Sequence, residues 1–161
     1  MIPQINILSV VDVIGALSTG TLRHSLFIVD NHPANCKPPS DVHPLGSRQS
    51  QTICSSGQAS QSLITHVTYG QVLNWQVASI DLQTEVVIKK ITFFRNGEEI
   101  TAADTPCVLL GRYGAPSGEY WAGAVNKPGK IEPGDYQYKI EFSLTGKSMI
   151  TEEFSVISVS N

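Results

Sequence analysis

The residues best suited to ligand binding lie in one glycine-punctuated segment, Gly-Arg-Tyr-Gly-Ala-Pro-Ser-Gly-Glu-Tyr-Trp, at positions 111–121. Exposed aromatic rings flanked by polar groups stack on sugar rings or anchor protein interfaces. The candidate ligand-binding residues are therefore Arg112, Tyr113, Tyr120 and Trp121. Successive strand residues point to opposite faces, so Tyr120 and Trp121 cannot both fill the core. One of the two is expected to be exposed.

A second group of chemically capable side chains lies in and beside the proline-rich segment 31–50. His32, Cys36 and His43 lie together in this segment, and Asp30 and Asp41 are nearby in sequence. Zinc accepts these ligand types, but their spacing matches no standard zinc pattern and no fourth ligand is evident. We therefore predict no metal site and no cofactor. A Cys36–Cys54 disulfide stays open beside the alternative that all three cysteines are reduced.

No arrangement of residues typical of catalysis is present. The sequence has neither a Gly-x-Ser-x-Gly elbow nor the alternating α/β pattern that carries one. The pairs Glu98-Glu99 and Glu152-Glu153 are adjacent, so in a strand each pair points to opposite faces and cannot share acid–base work. We predict no catalytic residues and no enzymatic activity.

Asp12 interrupts an otherwise apolar run at the N-terminus. A buried carboxylate needs hydrogen-bonding partners. One interpretation makes Asp12 a polar anchor in a pocket at the end of a strand. The interpretation we favour places it on the solvated face or bonds it to backbone amides of the turn between Gly15 and Gly20.

The spacing of apolar residues predicts an all-β protein. Apolar runs of strand length recur along the chain with turn signals between them, and no long segment has helical periodicity. Asn96-Gly97 predicts a type I′ hairpin turn. In the strongest predicted strand, five apolar residues alternate with polar ones: Tyr136, Tyr138, Ile140, Phe142 and Leu144. The Gly134-Asp135-Tyr136 entry is similar to the tyrosine corner of immunoglobulin-like folds.

These signals predict one domain over residues 1–161, an immunoglobulin-like antiparallel β-sandwich with residues 31–50 as a long loop. The net charge of −3 and the pI of about 5.7 argue against a nucleic-acid partner. No stretch is apolar enough to insert into a membrane. The start Met1-Ile2-Pro3 lacks a basic leader, so we expect a cytoplasmic protein.

Several short motifs resemble the bacterial PixA/AidA inclusion-body proteins. They are Ile5-Asn6-Ile7-Leu8-Ser9-Val10-Val11-Asp12, Leu26-Phe27-Ile28-Val29-Asp30, Gly70-Gln71-Val72-Leu73-Asn74-Trp75 and Gly134-Asp135-Tyr136-Gln137-Tyr138. They occur in the family's order and span most of the chain. The resemblance implies a small cytoplasmic bacterial protein that accumulates as crystalline inclusions, with no enzymatic activity and no catalytic residues to transfer.

Two functional hypotheses follow. The first is a non-enzymatic, inclusion-body-type protein that self-associates through sheet edges or faces, because only 16% of its residues are charged and repulsion between copies is weak. The alternative is a carbohydrate-binding β-sandwich that holds a glycan with the aromatic residues of segment 111–121.

Overall fold

The computed structural model describes residues 4–31, 55–81, 83–101, 103–115, 118–127 and 129–160, with backbone alone at 108–115 and 118–119. Most of the proline-rich segment 31–50, including His32, Cys36, Asp41 and His43, lies outside these ranges. The elements are β1 (Gln4–Val11), α1 (Val13–Thr19), β2 (Leu26–Asp30), β3 (Ile64–Thr68), β4 (Val72–Ser79), β5 (Val86–Arg95), β6 (Glu98–Glu99), β7 (Cys107–Ala115), β8 (Gly118–Val125), β9 (Gly134–Leu144), β10 (Lys147–Ile150) and β11 (Ser155–Ser160).

The strands form two packed sheets. Sheet A has the order β2-β1-β4-β8-β7, and sheet B has the order β3-β11-β9-β5-β6, with β10 also paired to β9. The predicted all-β sandwich is confirmed. The antiparallel part of the prediction needs a correction, because β1–β4 and β3–β11 are parallel pairs and both sheets are mixed. Each parallel pair joins strands far apart in sequence, so the alternation of apolar residues within a strand carries no sign of it.

The core lies where the inner faces of the two sheets meet. All five alternating apolar residues of β9 are buried there, as predicted. Trp75 of β4 packs edge-on against Tyr138 of β9 and Phe93 of β5, with ring centroids 6.1 Å and 6.4 Å away. Such aromatic contacts add to the stabilisation that burial itself provides.

The apolar pattern of the sequence after Gly146 predicts one final strand from Met149 to Ser158, but the structure has two strands there. Along the same edge of β9, β10 pairs with residues 141–144 and β11 pairs with residues 134–138. Thr151 lies between them and still exchanges hydrogen bonds with Ile140. The interruption arises at Glu152 and Glu153, whose amides bond to the Gln61 side chain instead of to a strand.

Both predicted turn features are present. Asn96 and Gly97 have φ of 53° and 83°, as a type I′ turn between β5 and β6 requires. The Tyr136 hydroxyl donates to the backbone oxygen of Glu132 at 2.8 Å, which is the hydrogen bond of a tyrosine corner. The Cζ atom of the Arg95 guanidinium lies 5.1 Å from the centre of the Tyr136 ring, in a cation–π contact.

The break expected at Gly15 to Gly20 is the short helix α1. Oδ1 of Asp12 accepts from the Gly15 amide at 2.9 Å, so Asp12 is the N-cap, and Gly20 ends the helix with φ of 73°. The favoured interpretation of Asp12, a carboxylate bonded to backbone amides, is therefore confirmed. His24 lies exposed in the turn before β2.

Replacing Asp12 with alanine should lower the free energy of unfolding by about 1 kcal/mol, because the cap hydrogen bond is lost. Urea denaturation followed by circular dichroism measures the change. Asp135→Ala is the control, because Asp135 is exposed and caps no helix. Equal losses in the two variants would show that the cap contributes nothing.

One side of the sandwich is closed by residues 56–60. The edge strand β2 exchanges hydrogen bonds with this segment through Ile28, and the edge strand β3 does so through Ile64. The carboxylate of Asp30, at the end of β2, reinforces the closure by accepting from Gln58 and from Thr65 of β3. In the described part of the chain, no helix is long and apolar enough to cross a membrane.

Candidate functional site

The outer face of sheet A carries no charged side chain at any of its described positions, and we call it the uncharged face. It consists of four rows of register partners across the sheet. The rows are Phe27–Val10–Ala78, Val29–Leu8–Gln76–Tyr120, Asn6–Asn74–Ala122 and Gln4–Val72–Ala124.

The first row, together with Val29 and Leu8 of the second row, forms the apolar part of the uncharged face. Phe27 is 40% exposed although it is a large aromatic side chain, and Ile80, directly after β4, is 59% exposed. Leu8, Val10 and Val29 are half-buried beside Phe27. Contiguous exposed apolar side chains with a polar border are typical of interaction sites.

Amide side chains form the polar part of the uncharged face. The Asn74 amide donates to Oδ1 of Asn6 at 3.0 Å and to Oε1 of Gln4 at 3.4 Å. These bonds satisfy Asn74, which is only 8% exposed, and leave further amide groups of Gln4 and Asn6 facing solvent. This part of the face can therefore exchange hydrogen bonds with a partner.

The opposite outer surface, that of sheet B, differs in its charge. Its register rows contain Lys90 beside Glu141, and Thr92 beside Lys139. Lys90 also lies 3.8 Å from Glu99 of β6. A partner that binds this surface must therefore pair with or desolvate charged side chains. A partner that binds the uncharged face meets no charged side chain at its described positions.

The structure separates the four candidate residues of segment 111–121 into two register pairs. Tyr113 pairs with Tyr120, and Arg112 pairs with Trp121. Tyr120 lies half-buried on the uncharged face, in the row of Gln76. Tyr120 and Trp121 thus occupy opposite faces of β8, as strand geometry requires.

Trp121 packs against the core and connects the two sheets. Its indole Nε1 donates to the backbone oxygen of Ile88 in β5 at 3.0 Å. That carbonyl lies at the β-bulge between Ile88 and Lys90, where the pairing of β5 with β9 is interrupted. The bulge therefore positions an acceptor for Trp121.

Other reactive groups are enclosed or already bonded. Burial raises the pKa of the Cys107 thiol, so Cys107 is not a nucleophile at neutral pH. Asp30, expected beside a loop of metal-ligand types, bonds to Ser55, Gln58 and Thr65. Among the residues that the structure describes, no cluster of three or more His, Cys, Asp or Glu side chains could hold a metal ion.

Sequence reasoning missed the apolar rows of the uncharged face. The run Leu26-Phe27-Ile28-Val29 is typical of a buried strand, yet only Leu26 and Ile28 are buried. The sequence did contain a signal for these rows. Leu8 and Val10 alternate along β1 with Ile7, Ser9 and Val11, so both faces of this strand carry apolar residues. An apolar strand with apolar residues on both faces needs a cover on both sides, and sheet B covers only one.

Comparison of the sequence with known protein families gives one match. The sequence matches the model of a domain of unknown function, DUF8788, over residues 3–150. The chain belongs to the DUF8788 family. No curated protein matches the sequence.

A solved structure shares the fold of this DUF8788 chain. The crystal structure of the inclusion body protein PixA from Burkholderia cenocepacia J2315 superposes with a TM-score of 0.58 and 12% sequence identity, covering 98% of this chain and 94% of that chain. At this identity the likeness shows the fold alone. The resemblance to PixA drawn from the short motifs thus holds for the architecture.

Proposed function

We propose that this protein is a non-enzymatic, cytoplasmic, inclusion-body-type protein of bacteria, related to PixA/AidA proteins, that self-associates through the uncharged face. The observation that carries the proposal is the absence of charge from the described side chains of that face, together with the exposure of Phe27. The shared fold with a protein named for inclusion bodies supports it.

Symmetry explains why an uncharged face suits a second copy of the same chain. A two-fold interface places each surface against itself, so any charged side chain near the axis meets its own copy and is repelled. The uncharged face imposes no such cost. Its amide side chains bond equally well to their own copies, because each amide group both donates and accepts.

On the side of the sandwich that residues 56–60 close, edge-to-edge pairing fits the structure less well than face-to-face pairing. The edge of β2 is bonded to Ala59 and Ser60, and the edge of β3 is bonded to Ser56. Covered edges cannot add a strand from another molecule. On this side of the sandwich, the broad surface of sheet A is therefore the better contact.

Placing a lysine at Phe27 should disrupt the assembly. In Phe27→Lys, two ammonium groups would meet across a two-fold contact, and an exposed apolar side chain would be lost. We expect the assembly to dissociate at least tenfold more readily, as measured by light scattering after gel filtration over a range of protein concentrations.

Ile150→Lys is the matched control, because Ile150 is also exposed, at 55%, but lies on the outer surface of sheet B. It should leave the assembly intact. If Phe27→Lys and the unmodified protein have the same mass at every concentration, the uncharged face is not the contact. If all the proteins are monomeric at millimolar concentration, self-association itself is refuted.

A carbohydrate ligand is the second candidate, favoured by the position of Tyr120 beside Gln76 on the uncharged face. An aromatic ring next to amide groups can stack on a sugar and bond to its hydroxyls. A glycan array tests this, with Tyr120→Ala expected to abolish a specific signal. A folded protein that binds no glycan would refute it.

A further inference from the structure

A groove of about 330 Å³ crosses the outer surface of sheet B, away from the uncharged face. Its lining comes from β5, β6, β9 and β10, and consists of Lys90, Thr92, Phe94, Glu99, Lys139, Glu141 and Ile150. The volume falls at the lower end of the range of small-molecule sites. The lining of the groove is amphipathic, because it combines two lysines and two glutamates with the apolar side chains of Phe94 and Ile150.

Lys139 is the most strongly positioned cation in this groove. Its Nζ donates to the backbone oxygen of Glu152 at 3.2 Å and lies 4.6 Å from the centre of the Phe154 ring. Across the described part of the chain, no carboxylate lies within ion-pair distance of Lys139, whereas Lys90 is paired with Glu99. Lys139 is thus a fixed ammonium with room for an anionic partner.

Thr92 and Phe94 complete the surroundings of Lys139. Thr92 is its register partner on β5, and the Thr92 hydroxyl bonds to no other described residue. Phe94 is two residues further along the same face of β5, and its ring meets Phe154 edge-on with centroids 5.2 Å apart. An ammonium and a free hydroxyl therefore lie next to an aromatic surface.

We propose that this groove binds a small organic acid with one carboxylate and an aromatic or aliphatic body. The carboxylate accepts from Nζ of Lys139 and from the Thr92 hydroxyl, and the body packs on Phe94. Both charge-assisted donors are already in place before the ligand arrives, so little ordering opposes binding. This site is separate from the uncharged face, and its occupancy does not depend on self-association.

Phenylacetate is the probe, and amide chemical shifts of the labelled protein are the readout. We expect shifts centred on Thr92, Phe94 and Lys139 that saturate at about 10 mM ligand, as a Kd near 1 mM would give. Phenylacetamide, which lacks the charge, and acetate, which lacks the ring, should each bind at least tenfold more weakly. Equal shifts from phenylacetamide would overturn the role of the carboxylate.

Variants test the residues separately. Lys139→Met keeps the apolar stem against Phe154 but removes the charge, and should weaken phenylacetate binding at least tenfold. Lys147→Met, which alters the exposed first residue of β10, is the matched control and should bind normally. Unchanged binding by Lys139→Met, or shifts that map outside the groove, would refute the site.

Discussion

Replacing Gln61 with methionine is expected to lower the free energy of unfolding by about 2 kcal/mol, because backbone groups of three residues lose a hydrogen bond to its side chain. Gln61 is 5% exposed and lies just before β3. Its Nε2 donates to the Leu22 carbonyl at 2.9 Å, and its Oε1 accepts from the amides of Glu152 and Glu153 at 3.0 Å and 3.4 Å. Methionine fills the same space and makes none of these bonds.

The size of this effect follows from the position of Gln61 between three separate parts of the chain. The turn before β2 and the turn before β11 both bond to its side chain, while Ser155 donates to its backbone oxygen at 2.7 Å. The amides of Glu152 and Glu153 are left without an acceptor and keep their desolvation cost. The Leu22 carbonyl still accepts from the Ser25 amide. The loss is therefore larger than for a surface glutamine.

Guanidinium denaturation of the Gln61→Met and Gln137→Met variants measures how much each substitution lowers the free energy of unfolding. Gln137 is half-exposed on sheet B, and its side chain bonds to no other described residue, so its replacement should change stability by under about 0.5 kcal/mol. If Gln61→Met were no less stable than Gln137→Met, the bridging role of Gln61 would be wrong.

Alkaline pH is expected to destabilise the protein through Tyr138. Burial raises the pKa of its phenol to about 12, and the adjacent Trp75 indole and Ser155 hydroxyl only partly offset that rise. An unfolded tyrosine ionises near pH 10. The contribution of the neutral phenol is therefore complete below pH 10 and is lost as the pH rises to about 12.

The loss amounts to roughly 2 to 3 kcal/mol, because each pKa unit corresponds to about 1.4 kcal/mol. Tyr138→Phe should remove most of this pH dependence. Its stability at pH 7 should equal or exceed that of the unmodified protein, because the Tyr138 hydroxyl is buried without a well-formed hydrogen bond.

Thermal unfolding from pH 7 to pH 11.5 distinguishes Tyr138 from its neighbour on the same face of β9. Tyr136→Phe loses the bond to Glu132 and should be destabilised by about 1 kcal/mol at pH 7. Tyr138→Phe should not be destabilised there. A curve for Tyr138→Phe that falls as steeply above pH 10 as that of the unmodified protein would contradict the assignment.

Local patterns predicted the elements whose two faces differ in polarity. The alternation in β9, the Asn96-Gly97 turn and the entry at Tyr136 all depend on residues within a few positions of each other. The parallel partners of β1 and β3 depend on contacts between distant segments, which no local pattern contains. Helix α1 was missed because its seven residues are too few to show helical periodicity.

For the candidate site, the sequence predicted which residue types are present but not which of them share a surface. Tyr120 and Trp121 are adjacent in sequence, and the register of β8 with β4 determines that Trp121 faces Trp75 on the inner side. The groove around Lys139 combines β5 with β9, two strands separated by β6, β7 and β8 along the chain. Only the folded sheet brings Thr92 beside Lys139.

The position of β11, an interior strand of sheet B next to the edge strand β3, has a consequence for how the protein is made. β11 lies between β3 and β9, and it leaves the ribosome after all the other strands that the structure describes. Until then β3 has no partner strand, and half of one edge of β9 is unpaired. Val156 must find Ile64 across most of the chain, and such distant pairing slows folding. The sandwich therefore closes only after translation of β11, and the nascent chain exposes an open sheet edge beforehand.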